Sequence, residues 1–294
     1  MRYPRWSIRA YWALREIAFS WARAVESIEQ RVFDRRLGVS THGIVYTDDS
    51  LTATGSDNLY YDNSGWLPVR RALKDLGPGP EDVFVDLGSG KGQALLIAGQ
   101  LPFQRVVGVE IYDDLSECAK RNIERARPRL RVRDVGSVTA NVLDWPIPDD
   151  ASVVFMFNPF VGETFRTVAG RIFESYDRRP RNLHIVYVIP WEHNWLLSTG
   201  RVVVDNIRPW RMPAFPLWWR RGLVIVSYRV VGPMESSTFE PQLPSRLSRQ
   251  RRRALRSWSG PNDFCFGVSQ PGRPSVFSRS LSRPRSPRVH PTRP

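Results

Sequence analysis

The sequence predicts a doubly wound α/β domain on a mostly parallel seven-stranded sheet, with an antiparallel hairpin at its C-terminal end and a helical extension at its N-terminus. Three observations carry that prediction. Short β-branched apolar runs alternate with amphipathic helical stretches, one run ends in a glycine-rich turn that opens a helix, and the last two runs have no helix between them.

At the N-terminus Trp6, Ala10, Leu14, Ile17, Trp21, Val25, Ile28 and Val32 recur at three- and four-residue steps, which predicts an amphipathic helix stopped by Gly38. Trp6, Trp12 and Trp21 stand beside Arg9, Arg15 and Arg23, a pattern shared by a lid packed on the next domain and by a helix lying in a membrane interface. The lid is the plainer reading. Strands follow at 82–87 (DVFVDL), 105–110 (RVVGVE), 138–142, 152–158 (SVVFMFN) and 183–189 (LHIVYVI), with helices near 91–101, 113–127 and 162–177 between them. Runs 201–207 and 222–231 should pair as the hairpin. Their connection, 209–221, holds Trp210, Phe215, Trp218 and Trp219, aromatics that suit a pocket wall, a contact surface or packing under the N-terminal helix.

The chain thus divides into an extension at 1–40, a ligand-binding α/β domain at 41–235 and a tail at 236–294. The 294 residues carry a net charge of +14, but the basicity is terminal: +4 over 1–40, +11 over 241–294 and −1 between them. Residues 241–294 contain 12 Arg, 10 Ser and 9 Pro, too few apolar groups to offset chain entropy, so the tail is expected to be disordered. Arg246 to Trp258 could still fold as a short helix on a nucleic acid or another anionic surface, the solvated tail being the plainer reading. Only three basic residues are lysines, Lys74, Lys91 and Lys120, so arginine is the general cation here and its number is weak support for phosphate recognition.

Cys118 and Cys265 lie far apart with no C-x-x-C, which argues against a disulfide framework and a cysteine zinc site. No run approaches the roughly 20 apolar residues of a membrane-spanning helix, and no signal peptide is recognisable. A cytoplasmic location is the expectation.

The run VFVDLGSGKGQ at 83–93 carries the chemistry: a buried strand ending in an acid, then glycines, then a helix, at the strand end where open α/β sheets bind ligands. A mononucleotide P-loop would need Ser or Thr after Lys91, and Gly92 stands there. A dinucleotide loop would place its third small residue one position later. Asp86 would moreover repel a pyrophosphate, whereas it favours an ammonium or sulfonium group, and S-adenosylmethionine carries both. Glu110, 20 residues after Gly90 at the end of the second strand, is placed to accept hydrogen bonds from a ribose diol; a surface acid at a strand end is the other reading.

Across roughly residues 57–231 these features resemble the class I S-adenosylmethionine-dependent methyltransferases. That resemblance implies S-adenosyl-L-methionine as cofactor. Gly88, Ser89, Gly90 and Gly92 would then form the loop against it, with Asp86 at its methionine end, Glu110 on the ribose and Asn141 at the adenine, where Asp144 is a candidate substitute for Asn141. Tyr61 and Ser64 precede the first strand's leading helix; Asn63 or Ser64 would cap that helix, and contact of Tyr61 and Ser64 with the methionine carboxylate is the functional alternative. Asn158-Pro159-Phe160 stands where the family places the motif facing the transferred methyl, one proline short of the Asp/Asn-Pro-Pro-Tyr/Phe of its amino-methylating members. Asn158 would touch cofactor and acceptor, Phe160 would stack on the acceptor, and nitrogen is the favoured acceptor atom.

The loop through Gln93 also resembles the histone lysine methyltransferases that lack a SET domain. A closer likeness is to uncharacterised bacterial methyltransferase-like proteins that share Tyr61-x-x-Ser64-Gly-Trp66 and Asn158-Pro-Phe160. His193, after the fifth strand, suits either a polar surface loop or a general base, the surface loop being the plainer. The reading from another class is a non-catalytic module of the same fold that docks to nucleic acid or an anionic membrane through its basic ends. The methyl acceptor itself is not specified.

Overall fold

The computed structural model describes residues 24, 25, 27–43, 65–209 and 224–233. The aromatic stripe from Trp6 to Trp21, Tyr61, Asn63, Ser64, the aromatics of 210–221, Cys265 and the basic tail lie outside them. Helix α1 occupies 24–37 among these residues. It is followed by α2 (Trp66–Asp75), β1 (Val83–Leu87), α3 (Gln93–Gly99), β2 (Arg105–Glu110), α4 (Asp113–Ala126) and β3 (Asp134–Thr139). The second half adds β4 (Ala151–Met156), α5 (Gly162–Arg178), β5 (His184–Val188), α6 (His193–Ser198), β6 (Val202–Pro209) and β7 (Val224–Val230).

The seven strands lie in the order β3-β2-β1-β4-β5-β7-β6. The first five are parallel and β7 runs antiparallel to both its neighbours, as the sequence predicts for a doubly wound sheet closed by a hairpin. Every residue of β1, β4 and β5 is buried, because helices cover both faces of the centre of the sheet. Alternation along β1 divides the core: Phe84 joins the side packed by α1, α2, α3 and α4, whereas Val83, Val85 and Leu87 join the side packed by α5 and α6.

Helix α4 buries Leu115, Ser116, Ala119, Asn122, Ile123 and Ala126 at helical spacing and opens with Asp113 and Asp114, whose charges complement the helix dipole. Helix α2 starts after Gly65, which has no side chain to cap it. Its cap comes from α1, where Glu29 Oε1 accepts the Leu67 amide at 2.7 Å. Phe33 of α1 stacks on Trp66 with ring centroids 5.2 Å apart, and Leu37 and Val39 enter the core.

The third strand differs from expectation. Not 138–142 but Asp134–Thr139 pairs with β2, in the register Arg105↔Asp134 to Glu110↔Thr139. This is an edge strand that is only partly buried, so its sequence DVGSVT lacks the apolar run by which the inner strands are recognised. The apolar residues after it belong to a turn: Asn141 Oδ1 accepts the Leu143 amide at 2.9 Å, and the Asn141 carbonyl accepts from Asp144 and Trp145.

Candidate functional site at the carboxyl ends of β1, β2 and β4

The strand order reverses between β1 and β4, which opens a crevice at their carboxyl ends. From one side enters the glycine loop after β1, from the other the turn after β4. They touch: a Cβ built at Gly88 would stand 2.6 Å from Pro159 Cβ, and Gly88 also has a φ of +79° that only glycine adopts freely. The loop is sewn to β2, since the amides of Gly88 and Ser89 both donate to the Val109 carbonyl at 2.9 and 3.0 Å. Gly108 lets it lie there, because a Cβ at this position would be 2.6 Å from both Cβ and Oγ of Ser89.

Two carboxyl groups sit beneath the loop. Asp86 is 2% exposed and Glu110 5%. Glu110 Oε2 accepts the Gly90 amide at 2.7 Å and Oε1 the Tyr112 amide at 3.1 Å. Burial nevertheless raises its pKa above the usual carboxylate value, against the pull of those backbone hydrogen bonds. Asp86 is raised well above its ordinary value, first by burial and then by the Glu110 charge, and nothing described lowers it. Ser89 Oγ is buried with no hydrogen-bond partner among the described residues. The site therefore sets two carboxyl groups whose ionised forms lack a compensating cation, and an orphaned hydroxyl, around glycine backbone, which suits a ligand that is cationic and carries hydrogen-bonding groups. No group of three metal-ligating side chains occurs among the described residues.

Asn141 lies at the end of β3 next to Glu110, whose carbonyl accepts the Ala140 amide at 2.9 Å. Asp144 is exposed one turn further on. On the opposite side of the crevice Asn158 is 8% exposed and has a φ of +45°, a strained conformation that asparagine tolerates better than most residues. Its Oδ1 accepts a hydrogen bond from the Tyr187 hydroxyl at 2.9 Å. Phe160 is 3% exposed and packs 6.4 Å from Phe165, which stacks on Tyr187 at 5.3 Å and meets Trp195 edge-on at 5.7 Å. The ring from which stacking on an acceptor is expected is thus packed inward, supporting the turn from below.

His193 does not lie in a surface loop. It opens α6, is 5% exposed, and places Nδ1 2.5 Å from the Tyr228 hydroxyl. Burial depresses its pKa to about 4, so it is neutral at pH 7. Tyr187 and Tyr228 escape a reading of the sequence because each sits inside an apolar strand, where tyrosine counts as core; their hydroxyls become visible only when β5, β7 and the turn after β4 are assembled.

Strand order and an antiparallel penultimate strand position define the class I methyltransferase fold. The sequence comparison agrees: the family model for the histone methylation protein DOT1 matches residues 54–139, which take in the glycine loop and Glu110. No curated protein matches the chain. Among solved structures, the geranyl diphosphate C-methyltransferase from Streptomyces coelicolor A3(2) is 16% identical, over 56% of this chain and 77% of that one, with a TM-score of 0.42. An RNA methyltransferase from Salinibacter ruber is 20% identical over 58% and 95% of the two chains, with a TM-score of 0.39. The magnesium protoporphyrin IX methyltransferase from Synechocystis PCC 6803 is 12% identical over 55% and 76%, with a TM-score of 0.41.

Proposed function

We propose that the chain is a methyltransferase that binds S-adenosylmethionine over the glycine loop and presents its methyl group at the turn after β4. The observation that carries the reading is the pair Asp86 and Glu110, two buried carboxylates with raised pKa values under a glycine loop at the switch point of the sheet. A sulfonium cofactor with an ammonium group supplies the positive charge this pair lacks, together with an already activated methyl. The DOT1 match over the same loop supports the assignment.

Each residue then has a defined task. Gly88, Gly90 and Gly92 let backbone approach the cofactor, Ser89 brings its unpaired hydroxyl, and Asp86 faces the ammonium end. Glu110 already closes the loop through the Gly90 amide, and its remaining lone pairs serve the ribose. The Asn141 side-chain Oδ1 holds the Leu143 amide and keeps a lone pair for the adenine amino group. Contact of Tyr61 and Ser64, which lie outside the described residues, with the methionine carboxylate is part of this proposal. Asn158 aligns the acceptor with its amide, which Tyr187 holds, and Phe160 supports that turn through Phe165. A nitrogen acceptor would use the Asn158 carbonyl lone pair that Tyr187 leaves open.

The work of such a site is alignment and exclusion of water, and the apolar surround of the turn after β4 provides both. Calorimetric titration of the protein with S-adenosylmethionine and S-adenosylhomocysteine tests the reading, repeated on Glu110→Ala and Gly90→Arg. Micromolar binding lost in both variants is the expected result. Absence of binding to the wild-type protein overturns the methyltransferase reading.

A further inference from the structure

A buried polar network joins the segment ahead of α2 to the glycine loop, although methyl transfer itself does not call for it. Gln93, the first residue of α3, donates from Nε2 to Gln30 Oε1 at 2.8 Å, across 63 residues of chain. Gln30 Nε2 in turn donates to Thr41 Oγ1 at 2.5 Å and to Asp34 Oδ1 at 3.2 Å. Asp34 completes the set, its two oxygens accepting the Thr41 hydroxyl at 2.8 Å and the Thr41 amide at 2.9 Å. Gln30, Asp34, Thr41 and Gln93 are each at most 5% exposed.

A second link runs through Asn122 of α4, which is 1% exposed. Its Oδ1 accepts the Ser40 amide at 3.0 Å, while its Nδ2 donates to the carbonyls of Ser40 and Lys91, both at 3.0 Å. A third is the Lys91 ammonium on the His42 carbonyl at 2.8 Å. All three links end on residues 91–93, immediately beside Gly90 and Gly92.

We propose that Gln30 and Asn122 are positioning residues for the glycine loop, so that α1 and the strap 38–43 set the affinity for the cofactor. The proposal rests on the cofactor reading above. A glycine-rich turn in left-handed backbone has no ladder of its own and loses much entropy when it is fixed, so its shape has to be imposed by what it touches. In this chain side-chain amides on residues 91–93 add to the bonds that the loop makes to Val109 and Glu110. The Gln30 amide is oriented at both ends, with its oxygen on Gln93 and its nitrogen on Thr41 and Asp34, and removing it takes one buried hydrogen-bond partner from each of the three. By reciprocity, a ligand seated on the loop tightens the strap in return.

The test compares Gln30→Met with Phe33→Leu, which trims the stack on Trp66 in the same helix and leaves the network intact. S-adenosylhomocysteine is the calorimetric probe, and hydrogen exchange at the Gly90 and Gly92 amides is followed in ligand-free protein. Those amides are bonded to Glu110 Oε2 and the Ser89 carbonyl, so they report loop opening without any ligand. The expected result is that Gln30→Met weakens the probe about tenfold and speeds both amides, whereas Phe33→Leu lowers the melting temperature and keeps affinity within about twofold. Unchanged affinity and exchange in Gln30→Met overturn the proposal, as does an equal loss of affinity in Phe33→Leu. If Gln30→Met does not fold, Asn122→Ser takes its place with the same outcomes. Failure of the wild-type protein to bind the probe overturns the cofactor reading instead, and the exchange measurement still decides whether the network holds the loop.

Discussion

Replacing Gly108 with alanine perturbs the site through a single methyl group. The new Cβ would stand 2.6 Å from Ser89 Cβ and Oγ and 2.7 Å from Leu95 Cδ1, where carbon atoms normally rest about 3.5–4.0 Å apart. Neither neighbour yields easily. Ser89 is tied by its amide to the Val109 carbonyl at 3.0 Å and by its carbonyl to the Gly92 amide at 2.8 Å, and Leu95 is fully buried. Overpacking of this kind costs about 1–3 kcal/mol, and weakening two backbone hydrogen bonds adds about 1 kcal/mol, for a total of about 2–4 kcal/mol. Urea unfolding followed by tryptophan fluorescence reads the loss as a lower midpoint at an unchanged slope. Calorimetry should show cofactor affinity falling with it, since the loop has to lift off β2. Adding Ser89→Gly removes two of the three close contacts and should restore more than half of the lost stability. A Gly108→Ala protein within about 0.5 kcal/mol of wild type, or a double variant no better than the single one, would refute the reasoning.

Other perturbations reach the same site by different routes. Asp86 has a raised folded pKa, so its contribution to stability is complete below its ordinary value of 3.8 and is lost as pH rises through the folded value. Ligand-free Asp86→Asn should therefore melt above wild type at pH 7, converge with it below pH 3.8 and bind the cofactor more weakly; parallel melting curves across that range would exclude the effect. His193 shows the opposite sign, since a pKa depressed from 6.5 to about 4 gives stability that is present above 6.5 and lost as pH falls toward 4, at most about 3 kcal/mol. His193→Phe should flatten that acid-side loss in a series of urea titrations. Tyr187→Phe keeps the stack on Phe165 and loses the hydrogen bond to Asn158, for a cost of about 1 kcal/mol in urea unfolding; a loss beyond about 3 kcal/mol would show that the hydroxyl does more than hold Asn158.

The parallel part of the sheet was legible because its inner strands are buried on both faces and read as continuous apolar runs, as in β1 and β5. The glycine loop was legible for a related reason: its backbone conformation admits few residues, so its sequence is constrained. The edge strand β3 was not, because an exposed edge needs no apolar run, and the run that follows it belongs to the Asn141 turn. His193 was misplaced because its partner, Tyr228, lies 35 residues further along and only the antiparallel pairing of β5 with β7 brings it near. The dual duty of Glu110 was hidden likewise. Spacing places a carboxylate at a strand end, but it does not reveal that the loop's own amide is already bound there. Gln30 gave no signal at all, being one polar residue on a helix whose apolar stripe was read as a lid.

The position of β7 bears on how the chain is made. Among the described residues it is the last strand to be synthesised, yet it sits inside the sheet between β5 and β6. On the ribosome β5 emerges with its outer edge open and waits until residue 224 appears, 36 residues after Val188, a delay of roughly 2–7 s at ordinary elongation rates. Throughout that interval the apolar strand HIVYV offers an unpaired backbone edge to any neighbouring nascent chain. A message truncated just before the β7 codons would prolong this exposure indefinitely, and its product should collect in inclusion bodies, while one ending after residue 233 should remain in the supernatant.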